Sequence, residues 1–409
     1  ALTRHHEGPI KIILSTNIAE SSVTIDGVRG VVDSGLYRMP LHSPWTGVQS
    51  LHTRPIPKSS AIQRAGRAAR QGPGLAVRLY SESDYGLRAE QSIPEIRRHD
   101  LSELLLHLLQ MGISPDKFSW FEAPPRESID GALQLLLNLG AIKDIGQLQL
   151  TPMGEQMAKV PAHPRFAKLM LEAKIRKITY VAALAATVIG ESQFSSHDLL
   201  QTLTELLALP KLSFRLKRSM QSLLGSELRP ETPTDWPARL GEALFMAFPD
   251  RVFKINERGL AQLCTGDVAR LGHPGTDLSP LEKNSIGLAL SVEEYNHDRI
   301  SARNLEITAF YQITSEVLLL NEKLVHEEKI CSFHIEKRRV EEISRFCYGA
   351  IVLEEKMRRP SDFSMASLCL VEGLEKLEGE GRWPNKNVQE SLKIRLALLC
   401  THALAEPHL

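Results

Sequence analysis

AIQRAGRAAR, residues 61–70, sets three arginines three apart among small residues, with a glutamine near the head. On a helix, at about 100° per residue, Gln63 lies about 40° from Arg67 and about 20° from Arg70, while Arg64 points to the side. One glutamine and two guanidinium groups then share a face, on which Ala65, Gly66, Ala68 and Ala69 leave room for close approach. Guanidinium forks match phosphate oxygens, and a glutamine can orient a water. Such a set stabilises charge on a transferred phosphoryl group. An Arg/Ala-rich helix is equally at home as a solvated face. The flanking sequence has to decide.

From Ser34 to Ser81 there is no Asp or Glu, yet Arg38, Arg54, Lys58, Arg64, Arg67, Arg70 and Arg78 all lie there. Solvated faces normally mix both signs. An acid-free stretch of this length is an electrostatic footprint for phosphate. Upstream, LSTNIAESSVTIDGV (residues 14–28) ends an apolar run in Ser15, Thr16, Asn17, Ser21, Ser22 and Thr24, and Asp26 closes it. Ligands of parallel sheets bind beyond the carboxyl ends of strands. Small polar groups there suit phosphate or sugar, and Asp26 suits a ribose hydroxyl. The same residues also suit an N-cap and a turn.

Around these segments, residues 1–98 read as α/β, with Lys11–Leu14, Gly30–Val32 and Leu75–Leu79 as strands of a buried sheet. Between Tyr37 and Pro55 the turn signal Trp45-Thr46-Gly47 predicts a projecting β-hairpin. From Asp100 the pattern becomes helical. Asp100 is placed to cap a leucine-rich helix running to Gly112, and a second helix covers about Glu127–Leu139. A short hairpin follows around Ile145-Gly146, then a helix opening at Thr151-Pro152. Helix, helix, hairpin, helix over residues 99–162 is the pattern of a winged helix. Residues 163–245 are helical, broken by the proline-rich RPETPTDWPAR (residues 229–239). Residues 246–360 alternate short strands and turns, which suggests a small OB-like barrel. Helix returns over 361–409.

Composition limits the rest. At 409 residues the chain predicts several domains, and its formal net charge of zero confines any polyanion site to local clusters. Five cysteines without a CxxC pair favour a reducing, cytoplasmic setting, with the thiols as small core residues. The histidines show no metal spacing, and His163 reads as a surface or capping residue. YVAALAATVIG (residues 180–190) is too short to span a bilayer and predicts a buried helix.

Together the two phosphate-suited segments resemble motifs V and VI of the DEAH-box branch of superfamily 2 helicases. Thr16–Ile25 matches TNIAE(T/S)S(L/V)TI, Val31–Gly35 matches VVDSG, and Lys58–Arg70 matches K-S/A-S-A-x-Q-R-x-G-R-A-G-R. LTPMGEQMAKVPAHPRFAKLML extends the resemblance less specifically. ALFMAFPDRVFKI and the strands beyond it look most like the bacterial HrpB-type helicases.

The resemblance implies a multidomain fold: a partial RecA-like α/β domain, a winged helix, a helical bundle, an OB-like barrel and terminal helices. It implies ATP-dependent, 3′-to-5′ work on single-stranded or structured RNA. Gln63 would sit near the γ-phosphate and attacking water, with Arg67 and Arg70 as arginine fingers. Thr24, Asp26 and Arg64 would lie toward the nucleotide, and Ser15, Thr16 and Asn17 toward the nucleic-acid backbone. No GxxxxGK(S/T) loop or DEAH motif occurs in the chain. The main cradle for ATP with Mg2+ is therefore expected on a first RecA-like domain, which becomes a partner. Ala69 stands where the family usually has glycine, and Ser21 where threonine is common. A non-catalytic nucleic-acid-binding or docking module built from helicase parts is the competing expectation. An unrelated nucleotide-binding α/β protein would need a glycine-rich strand-to-helix turn that RAGRAARQGPG does not supply.

Overall fold

The computed structural model describes residues 11–21, 25–42, 49–224, 232–272, 281–295, 304–334, 339–361 and 363–379. The chain falls into two compact units, Ala1–Leu171 with Gln221–Gly225 and Ser291–Glu306, and Glu172–Met220 with Ser226–Leu290 and Ile307–Leu409.

The first unit opens with a short helix, α1 (Ile18–Ser21), and a strand, β1 (Gly30–Asp33). Strands β2 (Leu36–His42) and β3 (Gln49–Pro55) pair antiparallel as the expected hairpin; its tip lies outside the described residues. Helix α2 (Lys58–Gly66), β4 (Leu75–Arg78) and α3 (Glu82–Leu87) follow. β1 and β4 pair in parallel, Gly30 opposite Leu75 through Asp33 opposite Arg78. Lys11–Leu14 forms no strand; Ile12 and Leu14 are exposed. Apolar content predicted that strand, but a strand exists only where a neighbouring backbone accepts its ladder bonds.

Helices α4 (Ser102–Gln110), α5 (Arg126–Asn138) and α6 (Pro152–Met157) share one core. Leu105, Leu106 and Leu108 of α4 meet Leu133, Leu136 and Leu139, with Ile142 and Met157 beneath. Gly140 ends α5 in a left-handed conformation, φ 72°, and the Ala141 amide closes back on the Leu136 carbonyl at 2.8 Å. Thr151 caps α6 by accepting the Gly154 amide at 3.0 Å, and Pro152 occupies the first turn. The predicted hairpin between α5 and α6 shrinks to one antiparallel bridge, Ile142 to Leu150. Asp100 accepts the Ser102 amide at 2.5 Å, although Leu101 holds the cap position of α4.

Helix α7 (Pro164–Ile175) is capped by His163, whose Nδ1 accepts the Arg165 amide at 3.3 Å. The proton of the neutral ring therefore sits on Nε2, which lies 3.3 Å from Asp100 and 3.2 Å from Ser102. Serine and aspartate share one ring nitrogen, and Ser102 is fully buried, so the trio is a capping network rather than a nucleophilic one.

The helical run continues as α8 (Thr179–Gly190), α9 (Leu199–Ala208), α10 (Phe214–Leu224) and α11 (Trp236–Ala247). α8 is buried from Val181 to Val188, as a helix apolar on all sides must be. No described helix is long and apolar enough to cross a membrane. Strands β5 (Val252–Ile255), β6 (Ala261–Leu263), β7 (Val268–Leu271), β8 (Ile286–Tyr295) and β9 (Asn304–Ile313) close a barrel in the order β5-β6-β7-β9-β8. Inside it Phe253 and Phe310 meet edge to face, centroids 6.3 Å apart.

Strand patterning assigned residues 246–360 to one β domain. The last three strands instead form a separate antiparallel sheet, β10 (Val325–His334), β11 (Arg339–Tyr348) and β12 (Ile351–Arg358). β10 and β11 pair over ten residues, and the sheet is joined to the barrel by the Ala350 amide, which donates to the Cys264 carbonyl at 2.9 Å, and by Lys254, whose Nζ donates to the Val352 carbonyl at 2.9 Å. Helix α12 (Phe363–Gly379) packs on this sheet.

Candidate functional site

The chemistry-bearing segments of the first unit surround one cavity of about 670 Å³. Its wall includes Ser15, Thr16 and Asn17 from the segment leading into α1, and Arg64, Arg67 and Arg70 from α2 and the turn after it. Arg38 and Thr53 reach it from the hairpin. Ser15, Thr16 and Asn17 are exposed. The segment bends into α1 through the Glu20 amide, which donates to the Asn17 carbonyl at 3.0 Å.

Arg64 is held by acceptors of its own chain. Its Nε donates to Glu20 Oε2 at 3.1 Å, and its Nη1 donates to Asp33 Oδ1 at 2.8 Å and to the Leu36 carbonyl at 3.2 Å. A guanidinium so committed is a brace between α1, the end of β1 and the base of the hairpin. Arg64 stays on the cavity wall with these bonds made, so the geometry adds a positioning role to the nucleotide-facing one expected of it. Helical geometry explains it: Arg64 lies one turn on from the buried Ala61, on the same side of α2.

Asp33 is 5% exposed and also accepts the Gly35 amide at 3.0 Å and the Tyr80 hydroxyl at 3.3 Å. Burial first, then the Asp33 charge, raises the Tyr80 phenol above its ordinary range. The Arg88 guanidinium lies 3.7 Å over the Tyr80 ring and donates to the Gly35 carbonyl at 2.8 Å and to Asp84 at 2.8 Å. The VVDSG turn is thus held from both sides.

Arg67 is half-buried and donates to the Glu20 carbonyl. Arg70 is exposed. Among the described residues neither arginine has a carboxylate within ion-pair distance.

Gln63 is exposed but is not on the cavity wall. The helical-wheel placement of Gln63 beside Arg70 extrapolates beyond the helix. α2 ends at Gly66, and the Arg67 and Ala68 amides tighten onto the Arg64 and Ala65 carbonyls at 3.1 Å each. Gly74 then lies against that turn; a Cβ there would fall 2.1 Å from the Ala68 carbonyl oxygen. Ala69 is exposed and is not among the positive-φ residues, so its methyl replaces the family's glycine without backbone strain.

Asp26 accepts the Gln71 amide nitrogen at 2.6 Å, and Gln71 accepts the Gly27 amide at 2.9 Å. This clamp ties the loop after α1 to the residue following Arg70. Thr24 and Ser22 lie outside the described residues.

Sequence reading missed Glu20, Asp33, Gln71 and Arg88, which hold the site rather than face it. Glu20 and Asp33 carried one available signal. They are carboxylates embedded in segments otherwise suited to anions, and a carboxylate there must be spent on a cation. A second hollow, about 780 Å³, lies at the ends of α4 and α6. Asp116, Glu155, Lys117 and Lys159 mix both signs on its wall, so it carries no comparable field.

Comparison with known proteins agrees with this geometry. Residues 1–72 match the helicase conserved C-terminal domain, and residues 132–162 match the winged-helix helicase associated domain HA2. The chain is 43% identical over 164 residues to the probable ATP-dependent RNA helicase DHR2 of Saccharomyces cerevisiae, covering 40% of this chain and 22% of that protein. It is 39% identical over 168 residues to the ATP-dependent RNA helicase HrpA of Escherichia coli, covering 40% and 13%. The crystal structure of the E. coli DExH-box NTPase HrpB superposes with a TM-score of 0.72 at 26% identity, over 92% of this chain and 45% of that one. The chain therefore spans less than a quarter of these curated relatives and under half of the HrpB structure. Motifs, relatives and fold converge: the chain carries a helicase C-terminal region and an HA2 winged-helix region, is similar in sequence to DEAH-box RNA helicases and is HrpB-like in fold.

Proposed function

We propose that the protein carrying this chain is an ATP-dependent RNA helicase, to which these residues contribute the second half of the nucleotide cleft and the accessory domains. One observation carries the reading. A single cavity gathers Ser15, Thr16 and Asn17 with the guanidinium groups of Arg67 and Arg70, neither of which has a carboxylate partner among the described residues.

The donor set fits a triphosphate. Two guanidinium groups without carboxylate partners among the described residues would stabilise charge developing on equatorial phosphate oxygens once the partner domain closes over the cavity. Arg67 and Arg70 are assigned as arginine fingers and Gln63 as the residue that orients the attacking water. Asp26 and Thr24 are assigned to the nucleotide side. Ser15, Thr16 and Asn17 are assigned to the backbone of a single strand, which would move 3′ to 5′ as the cleft closes and reopens. Magnesium is assigned to the bound triphosphate rather than to side chains of this chain. The first RecA-like domain, with its phosphate loop, is the partner across the cleft. Residues 99–162 are read as the winged helix and 163–245 as the helical domain over the strand. The barrel is read as the OB-like element.

The test is RNA-stimulated ATP hydrolysis by the full-length protein. Arg67→Ala and Arg70→Ala are each expected to lower turnover by about 10³-fold or more while leaving the melting temperature unchanged. Unaltered turnover in either variant refutes that arginine's role. A wild-type protein that binds RNA but hydrolyses no ATP supports the non-catalytic module instead.

A further inference from the structure

Cys331 on β10 and Cys369 on α12 occupy the same gap between helix and sheet. The Cys369 Sγ lies 3.1 Å from the Cys331 carbonyl oxygen. Two strand residues on, Phe333 rests against Gly373, so closely that a Cβ built on that glycine would fall 2.2 Å from the Phe333 Cγ. Side chains alternate along a strand, so Cys331 and Phe333 share the face of β10 that α12 covers.

The two elements also advance in step. Two strand residues rise about 6.6 Å and four helical residues about 6 Å. Cys331 is therefore beside Cys369 as Phe333 is beside Gly373. A disulfide needs α-carbons about 4.4–6.8 Å apart, a spacing reached only where a helix backbone rests this near a strand. Gly373 permits that approach. Both cysteines are half-buried, whereas Cys264 and Cys347 are buried.

We propose that Cys331 and Cys369 form a reversible thiol-modification site, closed by low-molecular-weight disulfides of the glutathione type. The thiolate of one cysteine attacks a sulfur of the small disulfide, forming a mixed disulfide and releasing one small thiolate. The second cysteine's thiolate then attacks the protein sulfur of that mixed disulfide and releases the other. The two protons lost by the cysteines end on the two released thiols. The cysteines are oxidised, the small disulfide is reduced, and α12 is fastened covalently to the sheet. A reducing thiol pool reverses both exchanges.

The test uses the full chain, reduced and then equilibrated in glutathione buffers of graded redox poise. Remaining thiols are blocked and the chain is digested without reductant for mass mapping. The expected product is one linked pair, joining the peptides that carry Cys331 and Cys369, two hydrogens lighter than the sum of its parts and reversed by dithiothreitol. In Cys369→Ser the link vanishes and Cys331 retains a glutathione adduct. Three results would overturn the proposal in the wild-type chain: glutathione adducts on both cysteines without a link, a link from either to Cys400, or no oxidation of the pair at any poise.

Discussion

Removing Arg64 leaves two carboxylates facing each other with nothing between them. Its side chain is 15% exposed, and its partners Glu20 and Asp33 are 16% and 5% exposed. Breaking a buried ion pair by deleting one partner costs about 3–5 kcal/mol, because the remaining charge stays desolvated. Asp33 keeps the Gly35 amide and the Tyr80 hydroxyl, which places Arg64→Ala at the lower end, about 3 kcal/mol. At about 2–4 °C per kcal/mol for a unit of 150–250 residues, the melting temperature falls by about 6–12 °C. Arg64→Lys is expected to lose much of this as well, since one ammonium cannot give Nε to Glu20 and Nη1 to Asp33 together. The diagnostic measurement is a double-variant cycle. Arg64→Leu with Asp33→Asn removes both the brace and the most buried charge, and should recover at least half of the loss seen in Arg64→Leu alone. Calorimetric melting of the four proteins decides. An Arg64→Ala protein melting within about 2 °C of wild type would refute the brace.

Gly74→Ala forces a methyl against the Ala68 carbonyl, where backbone must yield, and should cost about 1–3 kcal/mol by urea unfolding. Cys264, buried and close to Asp250, has its thiol pushed up to about 12 from an ordinary 9.0. The folded thiol stays protonated while the unfolded one ionises, so its contribution is intact below pH 9.0 and is lost between there and about 12. Alkylation at pH 8 should spare it in the folded chain, and modification there as fast as in urea would contradict the burial. Single-stranded RNA binding should weaken linearly in log salt, each phosphate contact contributing about −0.7 to the slope. Arg38→Ala, on the hairpin wall of the cavity, should flatten that slope by about this amount, which a filter-binding titration reads directly.

What the sequence made legible follows from how local each signal is. The capped start at Thr151-Pro152, the buried α8 and the hairpin from Leu36 to Pro55 rest on periods and turn residues within a dozen positions, and each formed. The phosphate-suited segments were legible because charge depletion over Ser34–Ser81 is a linear property. The bracing contacts of Arg64 were not legible because its partners are 44 and 31 residues away, beyond any periodicity. Gln63 stands off the cavity wall for a different reason. Helical-wheel angles hold only while the helix does, and nothing in AIQRAGRAAR marks its end at Gly66, because Gly66 is not in a positive-φ conformation there. That β10–β12 form a sheet of their own was likewise not legible, since which strands pair depends on long-range register that alternation leaves open.

Glu20 is the residue through which the two halves of the site are joined. Its carboxylate holds Arg64, its carbonyl receives Arg67, and its amide is bonded to Asn17. All three bonds start from one residue of a single-turn helix, which has no internal slack to absorb a displacement. In the proposed helicase, a strand that shifted Ser15–Asn17 would therefore shift the acceptor of Arg67, and a phosphate that drew Arg67 away would shift Asn17 in return. Such reciprocity is what linkage between two binding sites requires. The Asp26–Gln71 clamp closes the same circuit from the other end, tying the loop after α1 to the residue beside Arg70. In the proposed helicase, nucleic acid and nucleotide would sense each other through a few ångströms of shared backbone, with the Arg64 brace fixing the frame against which that movement is measured.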